Sequence, residues 1–430
     1  MKKLRALLVL GLVLSFVGGF VAQAQENQVT FLSTQFNTVD EAEKASAIVS
    51  AWEGGQATFT GTEEGPMIEL LTAEAEAGSG TVDLIGALHG TFPTLAQQDL
   101  LFDLSPLLEE ILLDYELPPA YIELGKMGSD NYQYYIPWMQ ATYIMAAHVD
   151  ALQYLPEGSD INALTWEELA QWAKNMYDAT GQRLLGLPVD GLMHRFLEGY
   201  LYPSFTGGMV TNFRSEEAVA MWEFFRDELW PYVNEQSITY AFMQEPLLAG
   251  EVLVAFDHTA RLRDAFEQEP DNFVAFPAPA GPAGRGFMPV IAGLAIPFTA
   301  PNPDGAEELL RYMLTPEVQG QVLIELGFFP VVSGVDTNDM PEFVQLQSAA
   351  VEAQANSEDA LPALLPVGLG DRGGEINEIY RNALTRIVFD GEDIQTVLDE
   401  EGAALQTLLD ETGAACWPPD PPSEGPCQVK

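Results

Sequence analysis

Basic residues are scarce in this chain: 18 lysines and arginines stand against 64 aspartates and glutamates, a formal net charge of −46 over 430 residues. Nucleic acid and anionic membrane surfaces are bound through Lys and Arg contacts to phosphate, so a chain this acidic offers them no footprint. The acids are spread along the sequence, which describes a solvated surface and a soluble monomer. Cysteine is nearly absent. The two present, Cys416 and Cys427, bracket WPPDPPSEGP with no histidine beside them, which is not a zinc arrangement; in an oxidising compartment they are expected to form a local disulfide. The four histidines, at 89, 148, 194 and 258, show neither H-x-x-x-H nor E-x-x-H spacing, so no metal and no hydrolytic zinc centre is expected. There is no G-x-S-x-G elbow and no Walker A sequence, which argues against an α/β-hydrolase and against an ATPase. One G-x-G-x-x-G match, Gly368 to Gly373, follows the proline-broken LPALLP and lacks a βαβ setting; it reads as a loop, and no cofactor is expected.

Long apolar runs are also missing, apart from one. MKKLRALLVLGLVLSFVGGFVAQAQ has a basic start, an apolar centre and Ala22-Gln23-Ala24 as a small-x-small site, the pattern of a secretory signal peptide over residues 1–24. No cysteine lies beside that site to carry a lipid. The expectation is therefore a chain exported across the inner membrane, periplasmic or extracellular, without a lipid anchor.

What is present is a steady alternation of strand-like and helix-like segments. Val29 to Leu32, Ala57 to Thr60 and Val82 to Ile85 read as strands, separated by helical patterns over Asp40 to Trp52 and around Met67, Leu70 and Leu71. Thr165-Trp166-Glu167-Glu168 is a capping box opening a helix that ends at Gly181; Leu184 to Val189 and Val252 to Phe256 follow as buried strands. Leu294 to Pro297 is read as a strand, with Asn302 and Thr315 capping two further helices that each begin with proline. The pattern predicts an α/β protein, and with 47% hydrophobic residues over this length, one divided between two domains.

The order of these pieces resembles a known family. VTFLSTQF, EAEAGSGTVDLIGALHG, YYIPWMQATYIMAAHVDAL, ALTWEELAQWAKNMYDATGQRLLGLP, VTNFRSEEAVAMWEFF, LLAGEVLVAFDHTARL and GLAIPFTAPNPDGAEELLRYMLTPEVQGQVLIELGFFPV are similar, in sequence order, to the extracellular solute-binding proteins of ABC importers, in particular the sugar-binding branch typified by maltodextrin-binding protein. The resemblance implies a two-lobed periplasmic-binding-protein fold whose lobes are joined by crossing strands and close on a ligand. Lobe one is then 25–138 plus 290–330, lobe two 139–289 plus 331–412, and 413–430 a proline-rich tail. It also implies a binding subunit, not an enzyme, that captures a small carbohydrate-like solute and delivers it to a membrane permease. The alternative from another class is an exported glycoside hydrolase or lyase, because 64 acids make carboxylate pairs inevitable. A related domain that signals to a membrane receptor shares the fold and differs in partner.

Candidate ligand-binding residues come from two sources. In open α/β sheets ligands sit beyond the carboxyl ends of strands, which nominates Gln35 and Asn37 after the first strand, His89 after the third, and Asp257, His258 and Arg261 after Val252 to Phe256. The resemblance adds Trp138 and Gln140 on the first crossing, Gly293 on the second and Arg285 on its approach. Sugars present C–H faces rimmed by hydroxyls, so Trp138 is expected to serve as an aromatic plate. No aromatic stands at Asp257 to Arg261, and Gly86-Ala87 replaces the tryptophan of maltodextrin binders. A shorter or more polar ligand than a glucan is therefore expected, with Arg261, Arg285 or Arg372 available to a carboxylate or phosphate.

Overall fold

A computed structural model describes residues 27–36 and 38–430 of the chain; the expected signal peptide and Asn37 lie outside the described residues. Two sheets organise the molecule. The first combines β1 (Gln28–Ser33), β2 (Gln56–Gly61), β3 (Leu84–Leu88), β4 (Ile136–Ala141) and, from much later in the chain, β10 (Val290–Ala295), in the order β2-β1-β3-β10-β4. β1 is parallel to β2 and β3, while β10 inserts antiparallel between β3 and β4. The second sheet holds β5 (Tyr143–His148), β6 (Leu185–Gly186), β7 (Val254–His258) and β8 (Phe273–Phe276), in the order β6-β7-β5-β8. A two-stranded ribbon pairs β9 (Arg285–Phe287) with β11 (Ala360–Pro362). Helices cover both sheets, and the result is an α/β molecule of two lobes.

Local chemistry accounts for most of the helices. Thr165 accepts from the Glu168 N–H while the Glu168 carboxylate accepts from the Thr165 N–H, so the capping box closes in both directions and the helix Trp166–Thr180 starts there. It buries Leu169, Trp172, Ala173 and Met176 and stops at Gly181, whose φ of 72° suits glycine. Asn302 caps Pro303–Met313 through the Gly305 N–H, and Thr315 caps Pro316–Leu326.

Three strands differ from the pattern read in the sequence. The segment at Leu184 to Val189 contributes only Leu185–Gly186, because the Leu187 N–H is taken by the Ser237 hydroxyl instead of a neighbouring strand. The strand expected at Leu294 to Pro297 begins at Val290, since the apolar run after Pro289 pairs on both sides. β8 is a short edge strand without a strong alternation signal.

The chain passes between lobes in very few residues. β4 ends at Ala141 in the first sheet and β5 begins at Tyr143 in the second, leaving Thr142 between them; Met288 and Pro289 separate β9 from β10 in the same way. These two crossings are bonded together, and a third pass follows the helix Pro316–Leu326. The Thr142 hydroxyl donates to the Met288 carbonyl at 3.0 Å, and the buried Tyr200 hydroxyl accepts from the Tyr143 N–H and donates to the Tyr143 carbonyl, each at 2.9 Å. Gln354 adds its amide to the same carbonyl at 3.1 Å. Tyr200→Phe leaves the Tyr143 N–H buried without its acceptor, and is expected to cost about 1–3 kcal/mol. An unchanged urea midpoint in the variant would show that this junction is held by packing instead.

The C-terminal segment is not a loose tail. Cys416 and Cys427 are bonded, Trp417 is buried, and the Arg214 N–H donates to the Lys430 carbonyl.

Candidate functional site

The two sheets point the same kind of edge at each other. β1 and β3 end at Ser33 and Leu88 in lobe one, and β7 ends at His258 in lobe two, where it pairs with the start of β5 at Tyr143. Between these edges lies a cleft of about 720 Å³. Lobe one supplies Gln35, Asp40, Glu41 and Leu88; lobe two supplies Tyr143, His194, Arg195, Phe242, His258 and Arg261; Val290 and Phe328 come from the returning segments. Leu88, Arg195 and Leu365 also border an adjoining chamber of about 310 Å³ lined by Gly370, Gly373 and Gly374, which places the glycine-rich loop at the cleft rim. Hollows of comparable size around Tyr177 and Arg183, and around Trp52 and Arg311, are each drawn from a single lobe and lie away from these strand ends. The interlobe cleft is the candidate site, since closure of the lobes acts on it alone.

The loop after β1 splits its side chains between two environments. Gln35 lines the cleft, while Phe36, held at φ 63°, turns inward to meet Trp138 and Phe328 edge-on at 6.1 and 5.2 Å. A positive φ is unusual for a bulky residue, and here the aromatic packing fixes it. On the other side, His258 ends β7 and caps the helix Thr259–Gln268 by accepting from the Ala260 N–H at 3.2 Å. Its Nδ1 is therefore an acceptor and its Nε2 carries the proton. The ring lies edge-on to Tyr143 at 5.1 Å. Burial, reinforced by Arg261, pushes the His258 pKa down to about 3. His194 is treated similarly: Arg381 sits 3.2 Å from its Nδ1 and can only donate, and burial with the Arg195, Arg381 and Arg261 charges pushes its pKa down to about 2. Both cleft histidines are neutral across the physiological range.

The charges are unevenly matched. Arg195 pairs with Glu198 at 2.8 Å; Glu198 is wholly buried, its second oxygen has no hydrogen-bond partner, and burial, opposed by Arg195, raises its pKa. Arg261 donates to the Ala241 carbonyl at 3.3 Å and lies 4.5 Å over the Phe242 ring. Asp257 is beneath, accepting from the Met243 and His258 N–H groups at 2.9 and 2.7 Å; burial raises its pKa to about 7 against the pull of Arg261 and those two bonds. The Tyr143 hydroxyl is pushed up to about 12 by burial, with Arg195 and Arg261 opposing.

The nominated residues thus separate into groups. Gln35, His258 and Arg261 line the cleft. His89 and Asp257 are buried beneath its walls, His89 with its Nδ1 2.6 Å from the Tyr135 hydroxyl. Four positions need correction. Trp138 is 1% exposed and sits in the lobe-one core between Phe31 and Phe36, so it is not a plate for ligand. Gln140 is committed to the Tyr121 hydroxyl and the Pro330 carbonyl. Gly293 occupies the irregular register of β10, where a Cβ would overlap the Tyr135 ring; the glycine serves packing. Arg285 is buried within lobe two, bonded to the Ala278 carbonyl and facing Asp359. Arg372, the third arginine considered, pairs at the surface with Glu375 and Glu411.

Tyr143, His194, Arg195, Phe242 and Phe328 were not nominated. One signal in the sequence pointed to some of them: Arg195 and Glu198 interrupt the otherwise apolar LMHRFLEGYLY, which here forms helix with a π-helical turn over Leu197–Leu201, a feature frequent at functional sites. Among the described residues, no three His, Cys, Asp or Glu side chains come together as a metal-binding group, and no helix is long and apolar enough to cross a membrane.

Comparison with known proteins agrees with this architecture. The family described as bacterial extracellular solute-binding protein matches residues 37–320. Among solved structures, the GacH receptor of Streptomyces glaucescens, crystallised unliganded and with acarbose, is 18% identical with a TM-score of 0.69, covering 89% of this chain and 98% of that one. The sugar-binding protein MalE of Xanthomonas citri is 16% identical with a TM-score of 0.70, over 89% and 98%. UgpB of Mycobacterium tuberculosis, solved with glycerophosphocholine, is 17% identical with a TM-score of 0.69, again over 89% and 98%. At these identities the likeness establishes the fold. No curated protein sequence is significantly similar to the chain.

Proposed function

The chain belongs to the bacterial extracellular solute-binding proteins, and from that premise we propose that it is the capture subunit of an ABC import system for a small carbohydrate-like solute, which it hands to the membrane permease. A single observation carries this reading: the interlobe cleft gathers an accessible aromatic, Phe242 at 41% exposure, and the polar groups of Gln35, His258 and Arg261, the mixture that a sugar's C–H face and hydroxyl rim require. Its size suits a short ligand, in keeping with the missing tryptophan plates. The structures with acarbose and with glycerophosphocholine belong to proteins of the same fold, which supports a polar organic solute for this one.

The lobes close about Thr142 and Met288-Pro289. Ligand that touches both sides favours the closed state, and the permease recognises that state, so occupancy is coupled to delivery. The protein works outside the cytoplasm as a monomer, without a lipid anchor. The test is a thermal-shift screen of the purified mature protein against sugars, polyols, sugar acids and polyamines. A carbohydrate-like ligand at about 100 times its Kd raises stability by about 2.7 kcal/mol, which is readily seen. If nothing in the set shifts the transition while a chromogenic glycoside is hydrolysed, the binding reading is wrong.

A further inference from the structure

One wall of the cleft brings two arginines together in a chain where basic residues are scarce. Nearly every described lysine and arginine sits within an ion pair: Lys44 with Asp40, Arg183 with Glu235, Arg311 with Glu110, and Arg386 with three glutamates. Arg261 is different. With 64 acids to choose from, its guanidinium makes no close ion pair among the described residues: it donates to the Ala241 carbonyl, lies over the Phe242 ring, feels the buried Asp257 at longer range, and borders the cleft. Arg195, on the same lobe and the same cleft wall, spends one nitrogen on the buried Glu198 and keeps part of its fork toward the space shared by both chambers. The two cations bear on common neighbours, since each favours the ionised Tyr143 phenol and disfavours a protonated His194. Of the acidic groups across the cleft, Asp40 pairs with Lys44 at 2.7 Å, and Glu41 accepts from the Thr38 hydroxyl at 2.8 Å. Asp257 is turned to two backbone donors.

We propose that the solute is anionic, a sugar or sugar-like molecule carrying a carboxylate or phosphate whose oxygens are held by Arg195 and Arg261. Planar guanidinium forks suit both oxyanions, and a partly desolvated cleft strengthens the pairing. The face of Phe242 away from Arg261 remains for the uncharged part of the molecule. This inference rests on the capture of a carbohydrate-like solute argued above, and names the chemical class of that solute.

The experiment is calorimetric titration of the mature protein, at low salt, with matched probes: glucose and galactose as neutral parents, glucuronate and galacturonate as carboxylates, glucose 6-phosphate and glycerol 3-phosphate as phosphates. The expected result is that an acid binds at least about 30-fold more tightly than its neutral parent, and that Arg261→Gln, which also loses hydroxyl contacts, weakens the acid at least about tenfold more than it weakens the neutral sugar. The carboxylate and phosphate arms identify which oxyanion is taken. Arg261→Lys retains the charge without the fork and is expected to fall between. Melting curves of the free variants confirm that each is folded. The inference is overturned if a neutral parent binds as well as its acid, a result that leaves the carbohydrate reading standing. It is also overturned if Arg261→Gln binds the acid unchanged, or weakens acid and neutral sugar equally, as a cross-cleft latch to Asp40 or Glu41 would. Should no probe bind, the carbohydrate reading and this inference fall together.

Discussion

Trp138→Ala is expected to destabilise lobe one by about 3–5 kcal/mol, the range for removing a large aromatic from a packed core. The ring is 1% exposed and meets Phe31 and Phe36 edge-on at 6.2 and 6.1 Å; Phe31 in turn meets Phe59 at 5.3 Å. These contacts bind β4 to β1 and β2 across the inner face of the sheet, so the deletion opens a cavity at the junction of three strands. The indole N–H has no hydrogen-bond partner among the described residues, and the ring therefore contributes through packing. Trp138→Phe keeps most of that volume and is expected to lose less than half as much. Denaturant unfolding followed by circular dichroism measures both. Ligand affinity of the folded Ala variant is expected to fall by less than about tenfold, through the packing of Trp138 on Phe36 and of Phe36 on Phe328 at the cleft wall. An affinity loss beyond that with an unchanged midpoint would return the ring to the ligand.

Asp420→Ala is expected to cost a similar amount, about 3–5 kcal/mol, from lobe two. The carboxylate is 3% exposed and accepts three backbone N–H bonds, from Met209 and Val210 at 2.9 Å and from Thr211 at 2.8 Å, besides the Thr211 hydroxyl. Each orphaned buried donor costs about 1–3 kcal/mol, and three are created together. Asp420→Asn is a poor substitute, because its amide nitrogen faces donors where an oxygen is needed. Limited proteolysis after Gly413 supplies the second readout: cutting is expected to accelerate in Asp420→Ala, since this residue fastens the segment, itself looped by the Cys416–Cys427 bond, to the loop at 206–214. A midpoint and a cleavage rate equal to those of the parent chain would mean that the buried Trp417 and the Arg214–Lys430 bond hold it instead.

How far the sequence reached is best judged at particular residues. Capping chemistry is local, so Thr165, Asn302 and Thr315 were readable as helix starts and are so in the structure. The alternation of strands and helices forecast two α/β lobes, and the rule placing ligands beyond strand ends led to Gln35, His258 and Arg261. Trp138 was misjudged for a definable reason. A strand exposes two faces, and alternation along Ile136–Ala141 cannot say which of them meets a core when the residues packed on the Trp138 face, Phe31 and Phe36, come from far earlier in the chain. Gly293 carried the same ambiguity, since a glycine is required equally by a ligand and by a neighbouring ring such as Tyr135.

The sequence by itself determined the class of fold, the acidic charge balance and the capped helix starts, because each depends on composition or on neighbours within a few positions. Tertiary structure alone decided the rest. Only when β10 and Phe328 return to the first lobe, and Arg195 and Arg261 come to one wall, do residues far apart in the chain form a single cleft. The physical reason is that burial and pairing are properties of a place: the same arginine is a surface ion pair at 372 and a cleft cation at 261, according to what the fold sets beside it.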